Sequence, residues 1–429
     1  MKNFYLIDYL KENYPIDKEL LDALKWQLDG RIYHYGYQFK GPSEECKNEP
    51  KIETIKENLK DILRYCKGLF KAYPVNDKPK LLSFAYFTYN DELENIGFNV
   101  FLPPWIRQFV RGYPPKHIKK IINYLKSFLM AKNFNEIIGP EFLNKIIEAE
   151  EILKRFYIKN DFKALCVHAD MPFFENWNIK IFRKMNRPSF ILLHGLTQHY
   201  ENINDNRSNY LVVWGEKIKE NYINAGVDSK KVFVSGHPYY KEFNLKDLKF
   251  DLGNILVLGY PSISWHCDSM GVNLFDRGIS ILYLYSIQKT LEKLGVKYVT
   301  LKLHPSENTE WYKGYIDNDF YKIEIKPLKN LFNQSSLVIG NSSTSILESI
   351  YCGINYIVYE PSVNDYAWGS KYRLVNPFDG SDSRVPVAKN EAELLYILKN
   401  KIKIDSSVFN DYIKTPFDIS FMKKLILKD

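Results

Sequence analysis

The sequence predicts an α/β protein of two doubly wound, Rossmann-like domains facing a central cleft, with an N-terminal helical extension. Three observations carry that expectation. Short runs that are apolar throughout alternate with helical segments, the pattern of parallel sheets covered on both faces. The alternation is interrupted once, by the charged, turn-prone stretch YYKEFNLKDLKFDLGN at 239–254, and then restarts. The 429 residues, 45% of them hydrophobic, suffice for two packed cores of about 200 residues each.

Taken in order, residues 1–75 read as an N-terminal helical cap. In IETIKENLKDILRYCKGLFKAY, the residues Ile52, Ile55, Leu59, Ile62 and Leu63 recur at helical spacing. The first Rossmann-like domain, expected over 76–240 to bind the acceptor, runs through KLLSFAYFTYN, helices around 115–157, DFKALCVHAD, a helix at 176–186, PSFILLHGL, NYLVVWG, a helix near 216–225 and KVFVSGHP. After the 239–254 linker, the second domain, expected over 253–400 to bind the donor, runs through ILVLGYPS, a helix at 276–294, VKYVTLKLHP, YKIEIKP, SLVIGNSS, a helix at 344–352 and NYIVYEP. A last helix, about 409–428 within a segment 401–429, is expected to pack back across the first domain. Internal repeats and low-complexity tracts are absent.

Composition narrows the function. The excess of 59 Lys and Arg over 51 Asp and Glu gives +8, spread along the chain with no arginine-rich arm, which favours an anionic ligand or membrane surface over a nucleic-acid partner. Cys46, Cys66, Cys166, Cys267 and Cys352 are odd in number and scattered, so neither a disulfide framework nor a zinc site is indicated. The N-terminus is charged within a few residues, and no apolar run approaches the ~18 residues of a membrane span. A cytoplasmic location is expected, with any membrane contact peripheral. The C-terminal FMKKLILK interleaves Phe421, Leu425, Ile426 and Leu427 with lysines. It reads equally as a packed terminal helix or as a contact with the anionic cytoplasmic face of the inner membrane.

Open α/β sheets bind ligands beyond the carboxyl ends of their strands. The suggestive residues collect there: His168-Ala169-Asp170, His194-Gly195, Gly236-His237-Pro238, Pro261-Ser262, His304-Pro305 and the cluster from Asn341 to Ser345. In that cluster, the hydroxyls of Ser342, Ser343, Thr344 and Ser345 and the amides opening a helix form a phosphate site that needs no metal. The competing reading is an ordinary N-cap, since Ser345-Ile-Leu-Glu348 fits the S-x-x-E capping box. Pro305 holds His304 extended, where it can contact a phosphate, a nucleobase or a ribose, and Lys302 shares its strand face. His194, before Gly195 and the polar run containing Gln198 and His199, is a candidate general base or acceptor contact. His168 joins that cleft, and His237 reads as structural between domains. The carboxylate candidates for a base are Asp170 and the adjacent Asp91 and Glu92. No P-loop, dinucleotide-binding glycine pattern, Asp-x-Asp or H-E-x-x-H is present, so neither metal nor cofactor is expected. Trp105, Trp214, Trp265, Trp311 and Trp368 are candidate sugar-stacking platforms.

A His-Pro pair after one second-domain strand and a Ser-Ser/Thr cluster after the next resemble bacterial surface-polysaccharide glycosyltransferases of the GT-B fold. They look most like the sialyltransferases, polysialyltransferases and Kdo transferases that use CMP-activated sugars. The stretch LVIGNSSTSILESIYCGINYIVYEPSVNDY is also similar to teichoic-acid glycerophosphotransferases, whose donor is CDP-glycerol. The resemblance implies that His304 and Pro305 bind the nucleotide and that Ser342, Ser343 and Thr344 hold phosphate oxygens. It implies an inverting, metal-independent transfer of an ulosonic acid from a CMP-linked donor to a glycan or lipid-linked acceptor. The first-domain acidic motif of those sialyltransferases is incomplete here, because no glycine follows Asp91-Glu92 in YNDELEN. The alternatives are glycerophosphate-type transfer with His194 and His304 paired, and a non-catalytic carbohydrate-binding subunit.

Overall fold

In the computed structural model the described residues are 6–13, 16–24, 77–85, 87–103, 122–125, 139–170, 172–196, 207–260, 277–304, 307, 309–363, 366–367 and 374–427. Six apolar runs pair as one parallel sheet: β1 (Lys80–Ser83), β2 (Asn99–Phe101), β3 (Phe162–Val167), β4 (Ser189–Leu192), β5 (Tyr210–Val213) and β6 (Val232–Val234). Their spatial order is β2-β1-β3-β4-β5-β6. The second sheet uses β7 (Ile255–Leu258), β8 (Val299–Lys302), β9 (Tyr321–Ile323), β10 (Leu337–Gly340) and β11 (Asn355–Tyr359). A two-stranded antiparallel ribbon follows, β12 (Ser362–Val363) with β13 (Tyr366–Ala367), and then β14 (Val387–Ala388) completes the sheet. Its order is β14-β11-β10-β7-β8-β9, and every pair is parallel. Counted within its own domain, this is the 3-2-1-4-5-6 order of the dinucleotide-binding fold. The chain thus has the two-sheet GT-B arrangement.

Each sheet reverses its winding at one place. In the first sheet that place lies between β1 and β3, and in the second between β7 and β10. Helices on either side diverge there and leave a crevice at the strand ends, which is where ligands of such sheets bind.

The 239–254 stretch is mostly exposed but is tied down at a few points. Tyr240 and Leu248 are buried, Lys249 makes a single parallel bridge to Ile354, and Tyr240 and Phe243 pack on Phe409. The expected helix at 409–428 is two short helices, Val408–Tyr412 and Phe421–Leu427. Pro416 lies between them, and a proline ring has no N–H to continue a helix.

The segment between these helices crosses the end of the first sheet. Lys414 N–H donates to the Trp214 carbonyl and Asp418 N–H to that of Ser235, at 2.8 Å each. A Cβ on Gly215 would lie 2.3 Å from the Tyr412 backbone, and one on Gly236 2.4 Å from the Lys414 carbonyl. Both strand-end glycines therefore make room for this crossing. Met422 and Ile426 are buried with Leu81, Phe98 and Phe190, and Phe421 stacks on Phe233. The apolar side of the last helix is thus occupied by the first domain, as the packed-helix reading expects. No helix among the described residues is long and apolar enough to cross a membrane.

Of the N-terminal cap, residues 6–13 and 16–24 are described. Leu10, Leu20, Leu21 and Leu24 join the first domain's core. Asp17 accepts from the buried Lys180 at 2.6 Å. The helical pattern at 52–63 lies outside the described residues.

Candidate functional site

The first-domain part of the site grows from the ends of β3 and β4. His168 Nδ1 lies 2.7 Å from the Phe84 carbonyl, bridging β1 and β3 at the point where the winding reverses. His194 Nδ1 lies 2.7 Å from the His168 carbonyl. A carbonyl oxygen only accepts, so both Nδ1 atoms carry hydrogen, and in the neutral rings the lone pair sits on Nε2. The two rings meet edge to face with centroids 5.6 Å apart. Beneath them the Leu193 carbonyl accepts from Trp214 Nε1 at 3.0 Å and from the Tyr89 hydroxyl at 3.2 Å. Trp214 also donates to Tyr89 at 2.7 Å, and burial keeps that phenol protonated. Trp214 is 1% exposed, so it supports the site from below and is not a sugar platform. Trp311 packs on Tyr312 and Tyr315, and Trp105, Trp265 and Trp368 lie outside the described residues.

The second-domain part is the turn between β10 and the helix Ser345–Tyr351. Tyr356, on β11, passes across Gly340 to donate to the Asn341 carbonyl at 2.7 Å. A Cβ at position 340 would lie 2.1 Å from that hydroxyl, so glycine is required there. Ser342 N–H donates to Glu360 Oε1 at 2.5 Å. The Ser342 hydroxyl also bonds Glu360, so Ser342 faces inward and is 3% exposed. Ser343 Oγ lies 3.2 Å from Ser345 Oγ and accepts from Ser345 N–H.

The capping box is not formed. The N-cap is Thr344, which makes no side-chain cap bond, and its hydroxyl instead accepts from Leu196 N–H of the first domain at 2.7 Å. This hydrogen bond joins the turn after His194 to the hydroxyl turn of the second domain. A Cβ on Gly195 would meet Thr344 Oγ1 at 3.5 Å, an ordinary contact, so the glycine is not required by this approach.

Other expected site residues fall elsewhere. Asp170 is fully buried and accepts from Arg207 N–H at 2.8 Å and from Arg207 Nη1 at 3.2 Å, an ion pair. Asp91 is exposed on the helix Phe87–Asn95, and Glu92 on the same helix pairs with Lys241 at 2.7 Å. His237 sits edge-on to Trp214 at 4.7 Å and accepts from Tyr239 N–H through Nδ1. Desolvation pushes it down to about 4, so it stays neutral, as a structural residue. Lys302 is half-buried and His304 exposed at the end of β8. That end lies two strands from β10, roughly 10 Å across the sheet. Gln198, His199, Ser262 and Pro305 lie outside the described residues.

Two residues escaped the sequence reading, Tyr356 and Glu360. Their signal was faint: an apolar strand carrying an aromatic and an acid four residues apart, hence on one face. Burial pushes the Glu360 carboxyl up to about 7, against the lowering effect of its Ser342 hydrogen bonds.

No protein-family model and no curated protein matches the chain. Among solved structures it is similar to the UDP-GlcNAc 2-epimerase of Methanocaldococcus jannaschii, at 12% identity over 81% of this chain and 99% of that one, with a TM-score of 0.46. It is also similar to the wall teichoic acid polymerase TagF in its H444N variant, at 13% identity over 88% and 98%, TM-score 0.42. MurG of Acinetobacter baumannii is comparable, at 12% identity over 82% and 100%, TM-score 0.42. Likeness at this level assigns the chain no activity.

Proposed function

We propose that this chain is a transferase of bacterial surface-polymer synthesis that takes its group from a cytidine-nucleotide donor. His194 is the general base toward an acceptor hydroxyl, and the turn from Asn341 to Ser345 holds donor phosphate. The observation supporting this reading is the Leu196 to Thr344 hydrogen bond, which sets a tautomer-fixed imidazole beside a hydroxyl-rich strand end. His194 Nε2 takes the acceptor proton as the acceptor oxygen attacks. The donor bond breaks toward the nucleotide, which leaves with the electron pair. Ser343 and Thr344 hydroxyls, with His304 from β8, donate to the phosphate as negative charge builds on it.

The donor expected from the sequence, a CMP-linked ulosonic acid, belongs to this reading. Attack opposite the departing CMP would then invert the anomeric centre. One observation favours the alternative, transfer of an alcohol phosphate from a CDP-linked donor. Of the carboxylates expected as a base, Asp170 is engaged with Arg207 and Glu92 with Lys241. An imidazole is left in that role.

Thermal stabilisation by CMP, CDP, UMP, UDP and GDP, with and without EDTA, tests the reading, because a specific ligand raises the melting temperature. A cytidine nucleotide should stand out, followed by turnover with either CDP-glycerol or a CMP-linked ulosonic acid. A uridine or guanosine preference discards the donor assignment. Silence from all five favours a non-catalytic carbohydrate-binding subunit.

A further inference from the structure

The turn proposed to hold donor phosphate rests on a carboxyl group. Glu360, at the end of β11, is 7% exposed and held by its own N–H to the Ala388 carbonyl at 2.9 Å. Its Oε1 receives the Ser342 amide, and Tyr356 from the same strand face pins the Asn341 carbonyl. No cation among the described residues pairs with it. Among the described residues, the titratable groups that act on it are the phenols of Tyr356 on β11, Tyr260 beyond β7 and Tyr283 on the helix Arg277–Glu292. All three are held protonated by burial and bring no charge.

An anionic phosphate bound by Ser343 and Thr344 would arrive one residue along the turn from this carboxyl. Two negative charges brought this close, one of them buried and with no cation among the described residues pairing with it, are not both retained, and the group that can take a proton does so. A donor phosphodiester remains ionised at neutral pH, so the proton goes to the carboxyl. We infer that Glu360 is a positioning residue of the donor site whose carboxyl takes up a proton when a phosphate occupies the turn, coupling donor binding to the charge of this one buried group. The inference rests on the donor-phosphate reading of the turn. Protonated, Glu360 still accepts from the Ser342 amide, so the shape of the turn is kept while its charge is removed.

The test is calorimetric titration of the full chain with CDP-glycerol and with a CMP-linked ulosonic acid between about pH 6 and pH 9, in buffers of different ionisation enthalpy. Neither probe ionises in that range. Uptake of up to about one proton per ligand is expected, with affinity falling up to about tenfold per pH unit above neutrality. Glu360→Gln keeps an acceptor for Ser342 and should bind with a flat pH profile. If that variant does not fold, infrared difference spectra of the wild type decide, since a carboxylic acid carbonyl band should appear on ligand addition and an imidazole gives none. Tight binding with no proton uptake overturns the inference and leaves the donor reading standing. A Glu360→Gln variant that keeps the wild-type slope, or wild-type spectra without the carbonyl band, overturns it likewise. Failure of both probes to bind overturns the two together.

Discussion

The two halves of the site are built on the same kind of strand end but anchored by opposite chemistry. In the first domain, His168 and His194 are held by backbone carbonyls, which cannot titrate. In the second, the Asn341–Ser345 turn is held by a phenol and a buried carboxyl. The first anchor fixes a tautomer and is indifferent to pH, as suits the general base proposed for it. The second contains a titratable group, as suits the anion-binding role proposed for it. Where the anchors differ, the consequences of breaking them should differ too.

The largest effect is expected from the imidazole. His194→Ala should lower kcat by about 10²–10⁴-fold in a donor-turnover assay while nucleotide binding stays near wild type. His168→Ala, which keeps the anchoring carbonyl, should cost far less; equal losses would break the distinction between ring and anchor. Next is Asp170→Asn. If Asp170 is structural, removing its charge from the pair with Arg207 should cost about 3 kcal/mol in a denaturant titration. A variant of normal stability but no turnover would make Asp170 the base and displace His194.

The third prediction concerns pH. The Glu360 carboxyl rises from 4.5 to about 7 on folding. Between those values the folded chain binds the proton that the unfolded chain has lost, so stability falls as pH rises through this window and levels off above it. The change is about 3 kcal/mol. Glu360→Gln should lack this slope, so its melting temperature relative to wild type should be higher at about pH 8 than at about pH 5; parallel curves for the two proteins would argue against the charged anchor. Gly340→Ala should lose about 1–3 kcal/mol by driving Tyr356 off the Asn341 carbonyl. The smallest effect is assigned to Thr344→Val, which removes the acceptor for Leu196 and should cost about 1 kcal/mol. Thr344→Ser should restore it.

Much of this was legible in the chain. The apolar runs ILVL and SLVIG announced strands because strands buried on both faces need no polar alternation, and the glycine and proline signals bounded them. His194 and the Asn341–Ser345 cluster stood out because polar groups at strand ends have few structural reasons to concentrate. Other signals misled. Ser345-x-x-Glu348 has the pattern of a capping box, but Thr344 is the N-cap and spends its hydroxyl on another domain. The partner of Asp170, Arg207, lies 37 residues away and could not be read from the local sequence.

By itself, then, the sequence determined two doubly wound sheets and the strand ends at which polar residues gather, since both follow from local periodicity and residue type. Only the tertiary structure decided that Leu196 meets Thr344, that Gly215 and Gly236 make room for a returning C-terminal segment, and that Glu360 lies beneath the Asn341–Ser345 turn. These are contacts between residues distant in the chain or on neighbouring strands. Their energies depend on burial and approach, which no short stretch of sequence encodes.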